Sequence, residues 1–223
     1  MRDIPVLLVH GLGSSFEHNW RATGWVDMAE GDGHRVIGVA LPGHIGDSGP
    51  ASQDPADVVL RHCLSVGHQV DAVGFSAGGY AVLHAAARCP EAFRRIAVLG
   101  VGDSTESYGG PLRAAVIDAL EADDEPVEGL ARTIRRLVVG TGNDRFAVAG
   151  FLRRDDPPLS AAQLAAITPP ILLVLGEHDF ARSVAGLVAA LPTATSVMLP
   201  GTDHFATPTN FHAVDAVLRF LSE

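Results

Sequence analysis

Six short apolar runs, each continuous rather than alternating, constrain the fold of this chain more than any other feature of its sequence. A strand covered on both faces gives an unbroken apolar run, whereas a strand with one wet face alternates apolar and polar residues. The runs therefore predict the buried strands of a parallel sheet. They cover residues 5–11, 35–43, 70–75, 94–102, 170–176 and 194–201.

Amphipathic segments separate most of these runs and indicate helices. They lie at about 55–67, 77–89, 181–191 and 207–221, with a weaker one near 19–30. Thr207 and Pro208 are typical of an N-cap followed by the first helical residue. Strands that alternate with helices are joined by right-handed crossovers. The chain is therefore predicted to form an α/β fold with an open, mostly parallel, doubly wound sheet of about six strands and helices on both faces.

The alternation is interrupted once, between the fourth and fifth runs. Residues 103–168 contain no strand-like run, and their apolar spacing predicts three or four short amphipathic helices. We therefore expect a core formed by residues 1–102 and 169–223, with residues 103–168 as a helical insertion.

Composition limits the partners and the compartment. The net charge of −10 argues against nucleic acid and against an anionic membrane surface as partners. No apolar run reaches the roughly 18 residues of a membrane span, and the N-terminal apolar segment is too short for a signal peptide. These features predict a cytoplasmic protein. Cys63 and Cys89 are too few for a disulfide framework and are expected to be buried, reduced thiols.

Polar side chains follow the predicted strands, and in an open α/β sheet functional groups collect beyond the carboxyl ends of the strands. The residues at this edge are His10, His44, Ser76, Asp103, Glu177, His178, Asp179, Asp203 and His204. A serine hydroxyl is a weak nucleophile that needs a base within hydrogen-bond reach, so a serine beside histidines and carboxylates indicates nucleophilic catalysis. No two histidines have metal-ligand spacing with a carboxylate, so no metal site is predicted.

The segment GFSAGG, residues 74–79, places Ser76 between a buried strand and a helix. A sharp strand-to-helix turn needs space around its central residue, and the flanking glycines supply it. The N-terminus of the helix adds the positive end of a dipole where negative charge would develop.

Five short segments lie at the ends of the predicted strands, in this order: HGLG (10–13), LPGH (41–44), GFSAGG (74–79), GEHD (176–179) and GTDHF (201–205). Together they resemble the α/β-hydrolase superfamily, with serine, acid and histidine in that family's order. The resemblance covers essentially the whole chain and makes residues 103–168 the counterpart of the family's helical cap or lid.

The resemblance also implies roles for individual residues. Ser76 is expected to be the nucleophile, His204 the general base and then acid, and Asp179 the residue that orients His204. Asp103 is the alternative acid, because some members of the family place the acid after the strand that follows the nucleophile helix. The backbone N–H groups of Leu12 and Ala77 are expected to form the oxyanion hole. His10, His44 and His178 are expected to be structural turn or rim residues.

The implied activity is that of a serine hydrolase that cleaves a small-molecule carboxylic ester, or a similar acyl compound, through an acyl-enzyme without cofactor or metal. Four alternatives stay open: a lactonase, a C–C bond hydrolase, a cofactor-free haloperoxidase, or a hydrolase-like protein that binds a ligand without turnover. Fold does not choose among them. The sequence makes no prediction of the oligomeric state.

Overall fold

The computed structural model describes residues 4–47, 49–103, 110–124 and 128–223. Its six strands form one sheet in which all neighbouring strands are parallel. They are β1 (Val6–Val9), β2 (Val36–Val39), β3 (Val70–Phe75), β4 (Phe93–Leu99), β5 (Ile171–Gly176) and β6 (Ala194–Leu199). The predicted open α/β sheet is confirmed.

The α-helices of the described residues follow the predicted alternation and fill the insertion between β4 and β5. They are α1 (Trp25–Gly31), α2 (Pro55–Val66), α3 (Ala77–Arg88), α4 (Gly110–Glu121), α5 (Leu130–Gly140), α6 (Arg145–Leu152), α7 (Ala161–Ala165), α8 (Ala185–Ala190) and α9 (Phe211–Ser222). Within the described ranges, no helix has the length and apolarity needed to cross a membrane.

The strand order β2-β1-β3-β4-β5-β6 reverses direction between β1 and β3. At such a switch point the loops that leave neighbouring strands diverge and open a crevice. The register pairs Val9 at the end of β1 with Val39 of β2 and with Gly74 of β3. The loops after these three strands therefore begin at the same edge of the sheet.

Both faces of the sheet are covered, which explains why the strands are continuously apolar. Leu7 and Val9 belong to a core that includes residues of α2 and α3, whereas Val6 and Leu8 belong to a second core that includes residues of α1 and α9. All four side chains are essentially inaccessible to solvent. Full burial of a large aliphatic side chain stabilises a fold by about 1.5–3 kcal/mol.

Helices α4, α5 and α6 of the insertion pack against one another. Arg135 donates to the carbonyls of Ala119 (2.7 Å) and Ala122 (2.8 Å), and Arg145 donates to the carbonyl of Leu120 (2.8 Å). Helix α7 instead contacts α3 and α8. The division into core and cap stays a prediction, and its residues 1–3, 48, 104–109 and 125–127 lie outside the described part of the chain.

Several predicted helices begin later or are divided. The helix predicted at 181–191 is α8 alone, because the chain before it forms turns in which Arg182 has a φ of 66°. The helix predicted from Thr207 starts as a 3-10 turn at Thr207–Thr209. The N-cap of α9 is Asn210, whose Oδ1 accepts from the His212 N–H at 2.8 Å.

The weak helix predicted near 19–30 is in fact two pieces. A π-helical turn, Glu17–Arg21, precedes α1, and Gly24 with a φ of 86° separates them. The prediction for the cysteines is correct for Cys63, which is buried, and wrong for Cys89, which is partly exposed. Cys89 lies just beyond the end of α3, and its Sγ donates to the carboxylate of Glu91 at 3.2 Å.

Candidate active site

Ser76 occupies the sharp turn between β3 and α3. Its φ of 51° and ψ of −114° are strained for a residue that carries a side chain, and its N–H is held by the carbonyl of Leu99 at 2.8 Å. A Cβ at Gly74 would lie 2.5 Å from the carbonyl oxygen of Gly78, and one at Gly78 would lie 2.3 Å from that of Val9. Side chains cannot fit at these positions, so the glycines allow α3 to approach the sheet.

His204 lies between Ser76 and Asp179. Its Nε2 is 3.1 Å from Ser76 Oγ, and its Nδ1 is 3.0 Å and 2.9 Å from the two oxygens of Asp179. A carboxylate can only accept, so the imidazole Nδ1–H donates to Asp179 and leaves Nε2 to accept from the serine hydroxyl. The structure thus brings together Ser76, His204 and Asp179, with Asp179 and His204 both buried.

Aromatic rings enclose the imidazole of His204. The ring centroid of Phe180 is 4.1 Å from that of His204, and those of Phe75 and Phe205 are 5.0 Å and 5.6 Å away. Asp179 Oδ1 also accepts from the N–H of Ala181 at 2.8 Å, which fixes the carboxylate. Both members of the pair therefore have restricted orientations.

The remaining carboxylates at this edge have other partners. The two oxygens of Asp103 accept from the N–H groups of Gly186 and Leu187, each at 2.9 Å, and so bind the first turn of α8. Glu177 accepts from the N–H of Gly201 at 2.8 Å, and Asp203 from that of Ala206 at 2.8 Å. Asp179, and not Asp103, is thus the carboxylate at hydrogen-bond distance from His204.

In the loop after β1, three N–H groups are used in hydrogen bonds and that of Leu12 is not, among the residues that the structure describes. Gly11 donates to Asn19 Oδ1 (3.0 Å), Gly13 to His44 Nε2 (2.9 Å) and Ser14 to the Gly11 carbonyl (3.2 Å). Within residues 4–47, 49–103, 110–124 and 128–223, neither the Leu12 N–H nor the Ala77 N–H has an acceptor. Ala77 is also the first residue of α3, where the helix dipole is positive.

With this geometry in view, the chain can be compared with known proteins. The family model described as "Alpha/beta hydrolase family" matches residues 6–219. The chain belongs to the alpha/beta hydrolase family. No curated protein matches it.

Solved structures show the same fold at low sequence identity. The esterase RhEst1 from Rhodococcus sp. ECU1013 is 20% identical, with a TM-score of 0.74 over 99% of this chain and 90% of its own. A bromoperoxidase from Bacillus anthracis is 18% identical, with a TM-score of 0.73 over 99% and 92%. Est816, an N-acyl homoserine lactone degrading enzyme, is 18% identical, with a TM-score of 0.72 over 97% and 92%.

Two further histidines of this hydrolase, His10 and His44, are buried and bonded to backbone. His10 donates from Nδ1 to the Gly11 carbonyl (2.9 Å) and accepts at Nε2 from the Leu41 N–H (3.1 Å). His44 donates from Nδ1 to the Pro42 carbonyl at 3.0 Å. Burial, and then the neighbouring His44, lower the pKa of His10 to about 3, and burial lowers the pKa of His44 to about 4. Both rings are therefore neutral, and His44 is a buried support of the loop rather than a rim residue.

A cavity of about 270 Å³ lies in front of Ser76. Aliphatic side chains of α4, α5 and α6 line it on the side of the insertion: Leu112, Val116, Leu130, Ile134, Leu137 and Leu152. The opposite side contributes Ser76, His204, Phe180 and Phe205 together with the polar residues Ser14, Asn19, Thr23 and Tyr80. Within the described part of the chain, no group of three or more His, Cys, Asp or Glu side chains could hold a metal ion.

The sequence did not indicate the role of Asn143, which lies in the turn between α5 and α6. The letters TGND at 141–144 signal only a turn and a helix start. In the structure Asn143 is buried and donates to the carbonyls of Gly13 (3.1 Å) and Ser14 (3.0 Å). It thus joins the insertion to the loop that carries Leu12, over 130 residues of sequence.

Proposed function

We propose that this alpha/beta hydrolase is a serine hydrolase that cleaves a carboxylic ester through an acyl-enzyme, with Ser76, His204 and Asp179 as its catalytic triad. The observation that carries the proposal is the continuous hydrogen-bond chain from Asp179 through His204 to Ser76. The strained backbone of Ser76 supports it, because strain at the residue of a sharp strand-to-helix turn is characteristic of a nucleophile.

In the first half-reaction, Ser76 Oγ attacks the ester carbonyl while its proton passes to His204 Nε2. Asp179 holds the ring with Nδ1 protonated and stabilises the imidazolium that forms. The carbonyl oxygen becomes an oxyanion that accepts from the N–H groups of Leu12 and Ala77, which have no other acceptor in the described chain. His204 then returns the proton to the leaving alcohol, and the acyl group stays on Ser76.

In the second half-reaction, water replaces the alcohol. His204 Nε2 takes a proton from the water, whose oxygen attacks the acyl-enzyme carbonyl, and the second oxyanion forms in the same hole. Collapse of this intermediate breaks the bond to Ser76 Oγ, and His204 returns the proton to the serine. The carboxylic acid leaves, and the free enzyme is restored without any cofactor.

The cavity supports a small or medium acyl group. Its volume of about 270 Å³ and the aliphatic side chains of α4, α5 and α6 favour an apolar substituent beneath the insertion. The same steps open a lactone ring, and one structural neighbour degrades an N-acyl homoserine lactone. Lactones therefore belong in the substrate panel beside linear esters.

The experiment is to label the protein with a fluorophosphonate and to measure turnover of p-nitrophenyl esters of increasing chain length and of lactones. We expect labelling at Ser76 and ester turnover in the wild type, and loss of both in Ser76→Ala. Ser65→Ala, on α2, is the matched control, because its hydroxyl donates only within its own helix. Turnover that persists in Ser76→Ala, or a wild type that neither labels nor turns over, would contradict the proposal.

A further inference from the structure

Both backbone polar groups of Gly13, its N–H and its carbonyl, are bonded to side chains from distant parts of the chain. Its N–H donates to His44 Nε2 at 2.9 Å, and its carbonyl accepts from Thr141 Oγ1 at 2.7 Å and from Asn143 Nδ2 at 3.1 Å. Gly13 has a φ of 70°, and a Cβ there would lie 2.6 Å from Val138 Cγ2 of α5. The loop after β1 and the end of α5 are therefore in direct contact.

Asn143 has four hydrogen-bond partners in three segments. Its Nδ2 shares its two hydrogens among three acceptors, the carbonyls of Gly13 and Ser14 and Thr141 Oγ1 (2.8 Å), and its Oδ1 accepts from the Ile45 N–H at 2.8 Å. The side chain is buried, so these groups have no water to replace a lost partner. The loops after β1 and β2 and the turn between α5 and α6 meet at this one amide.

From these contacts we infer that Asn143, assisted by Thr141, is a positioning residue that holds the Leu12 N–H in the oxyanion hole and couples that hole to the helical insertion. The inference rests on the proposed function. Leu12 lies between two fixed residues, because Gly11 is held by Asn19 and Gly13 by Asn143, Thr141 and His44. The Leu12 N–H shares its peptide plane with the Gly11 carbonyl, which accepts from the Ser14 N–H at 3.2 Å and from His10 Nδ1 at 2.9 Å, so its direction is restricted while these bonds and those of Gly13 hold.

The contacts have a consequence for catalysis. A displacement of the α5–α6 turn from the sheet would break the bonds to Gly13, Ser14 and Ile45 together, since all three end on Asn143. The hole is then complete only while the insertion is seated over the site. An oxyanion donor that moves by about 1 Å can cost on the order of 100-fold in rate, so the effect falls on the tetrahedral intermediate and not on the bound ester.

The test compares Asn143→Ala with Asp144→Ala. Asp144 is the N-cap of α6 in the same turn; its Oδ1 accepts from Phe146 and Ala147, and it supports the helix without a bond to the loop after β1. Three quantities are measured for each: kcat, KM, and the inhibition constant of a trifluoromethyl ketone. In that adduct the ketone carbon bonds to Ser76 Oγ, the hydroxyl proton passes to His204, and the ketone oxygen becomes the oxyanion.

We expect Asn143→Ala to lower kcat and the affinity for the ketone by about 30-fold each, with KM changed by less than about threefold. Thr141→Val, which keeps the shape of the side chain, should lower kcat and the affinity for the ketone by a smaller factor. If Asn143→Ala fails to fold, Thr141→Val provides the test. Asp144→Ala should leave the ratio of inhibition constant to KM near that of the wild type.

If the Asn143 and Thr141 variants have the same ratio of inhibition constant to KM as Asp144→Ala, the inference is overturned. The proposed triad is not affected by that result. A wild type that forms no adduct at Ser76 would overturn the proposed function, and the inference with it. The two failures are therefore distinguishable from the wild-type measurement alone.

Discussion

His204 and His44 are both buried imidazoles at the same edge of the sheet, but their partners differ. His204 contacts a carboxylate, Asp179, and a hydroxyl, Ser76. His44 contacts backbone groups, the N–H of Gly13 and the carbonyl of Pro42. A carboxylate at Nδ1 stabilises an imidazolium, whereas backbone dipoles do not offset burial at His44, whose pKa is lowered to about 4. The two buried imidazoles therefore differ in the chemistry of their partners, a carboxylate and a hydroxyl at His204 and backbone groups at His44.

The variant with the largest expected effect on this comparison is His204→Ala. We expect kcat for ester hydrolysis to fall by about 10⁴-fold or more, because no other base lies at hydrogen-bond distance from Ser76 Oγ among the described residues. The control is His62→Ala on α2, where the ring bonds only to the Val58 carbonyl of its own helix. Equal activities of the two variants in a p-nitrophenyl ester assay would remove His204 from the mechanism.

The second test concerns the carboxylate that distinguishes His204 from His44. Asp179→Asn should lower kcat by about 10³- to 10⁴-fold, because an amide no longer favours the Nδ1–H tautomer or stabilises the imidazolium. Asp103→Asn is the matched variant, with a carboxylate that binds the first turn of α8 instead. Asp103→Asn should change kcat little. If kcat falls further in Asp103→Asn than in Asp179→Asn, the acid of the triad is Asp103 rather than Asp179.

The third test addresses His44 through the pH dependence of stability. Its pKa is about 4 in the folded protein and has an ordinary value of 6.5 in the unfolded chain. Between these values the unfolded chain binds a proton that the folded protein does not, so the free energy of unfolding decreases as the pH falls from 6.5 to 4. The His44 contribution to this decrease is up to about 3 kcal/mol.

This contribution is measured by urea unfolding at pH 7 and pH 4.5, for the wild type and for His44→Gln, whose amide oxygen can still accept from Gly13. The difference between the two pH values should be smaller in the variant. His178→Gln, at an exposed position, should retain the full wild-type difference. If His44→Gln shows the same difference in unfolding free energy between the two pH values as the wild type, His44 does not contribute to the pH dependence of stability.

The smallest expected effect concerns the aromatic contacts of His204. Phe180→Leu removes the ring that lies 4.1 Å from the imidazole and should lower kcat by about fivefold, because the imidazole gains freedom to turn away from Ser76. Phe146→Leu, at an exposed position on α6, is the control. A kcat for Phe180→Leu equal to that of this control would show that Asp179 alone orients the ring.

The sequence predicted the parts of the molecule that follow from strand periodicity. All six strands and the α/β class were found, because strands buried on both faces leave unbroken apolar runs. The residues now grouped around Ser76 were found for the same reason, since their positions follow strand ends. The starts of α8 and α9 were predicted too early, because a turn with Arg182 at positive φ precedes α8 and the side chain of Asn210 caps α9.

Residues that act through backbone contacts were not recognised from the sequence. His44 was expected at a turn or rim because neither its burial nor its bond to Gly13 is visible in the letters LPGH. Asn143 was missed because its backbone partners lie 98 to 130 residues away and are carbonyl and N–H groups, which almost every residue possesses. Such contacts depend on the path of the chain and leave no pattern of side chains.

The strand order has a consequence for synthesis of the chain. The turn at Ser76 has all its backbone partners once β1, β3, α3 and β4 have emerged, whereas Asp179 and His204 follow β5 and β6, in the last quarter of the chain. Domains form from the N-terminus as the chain is made, and parallel pairing of distant strands is slow. A nascent or truncated chain that ends before residue 204 therefore carries the serine without its base, and the proposed activity is acquired only when the sheet is finished.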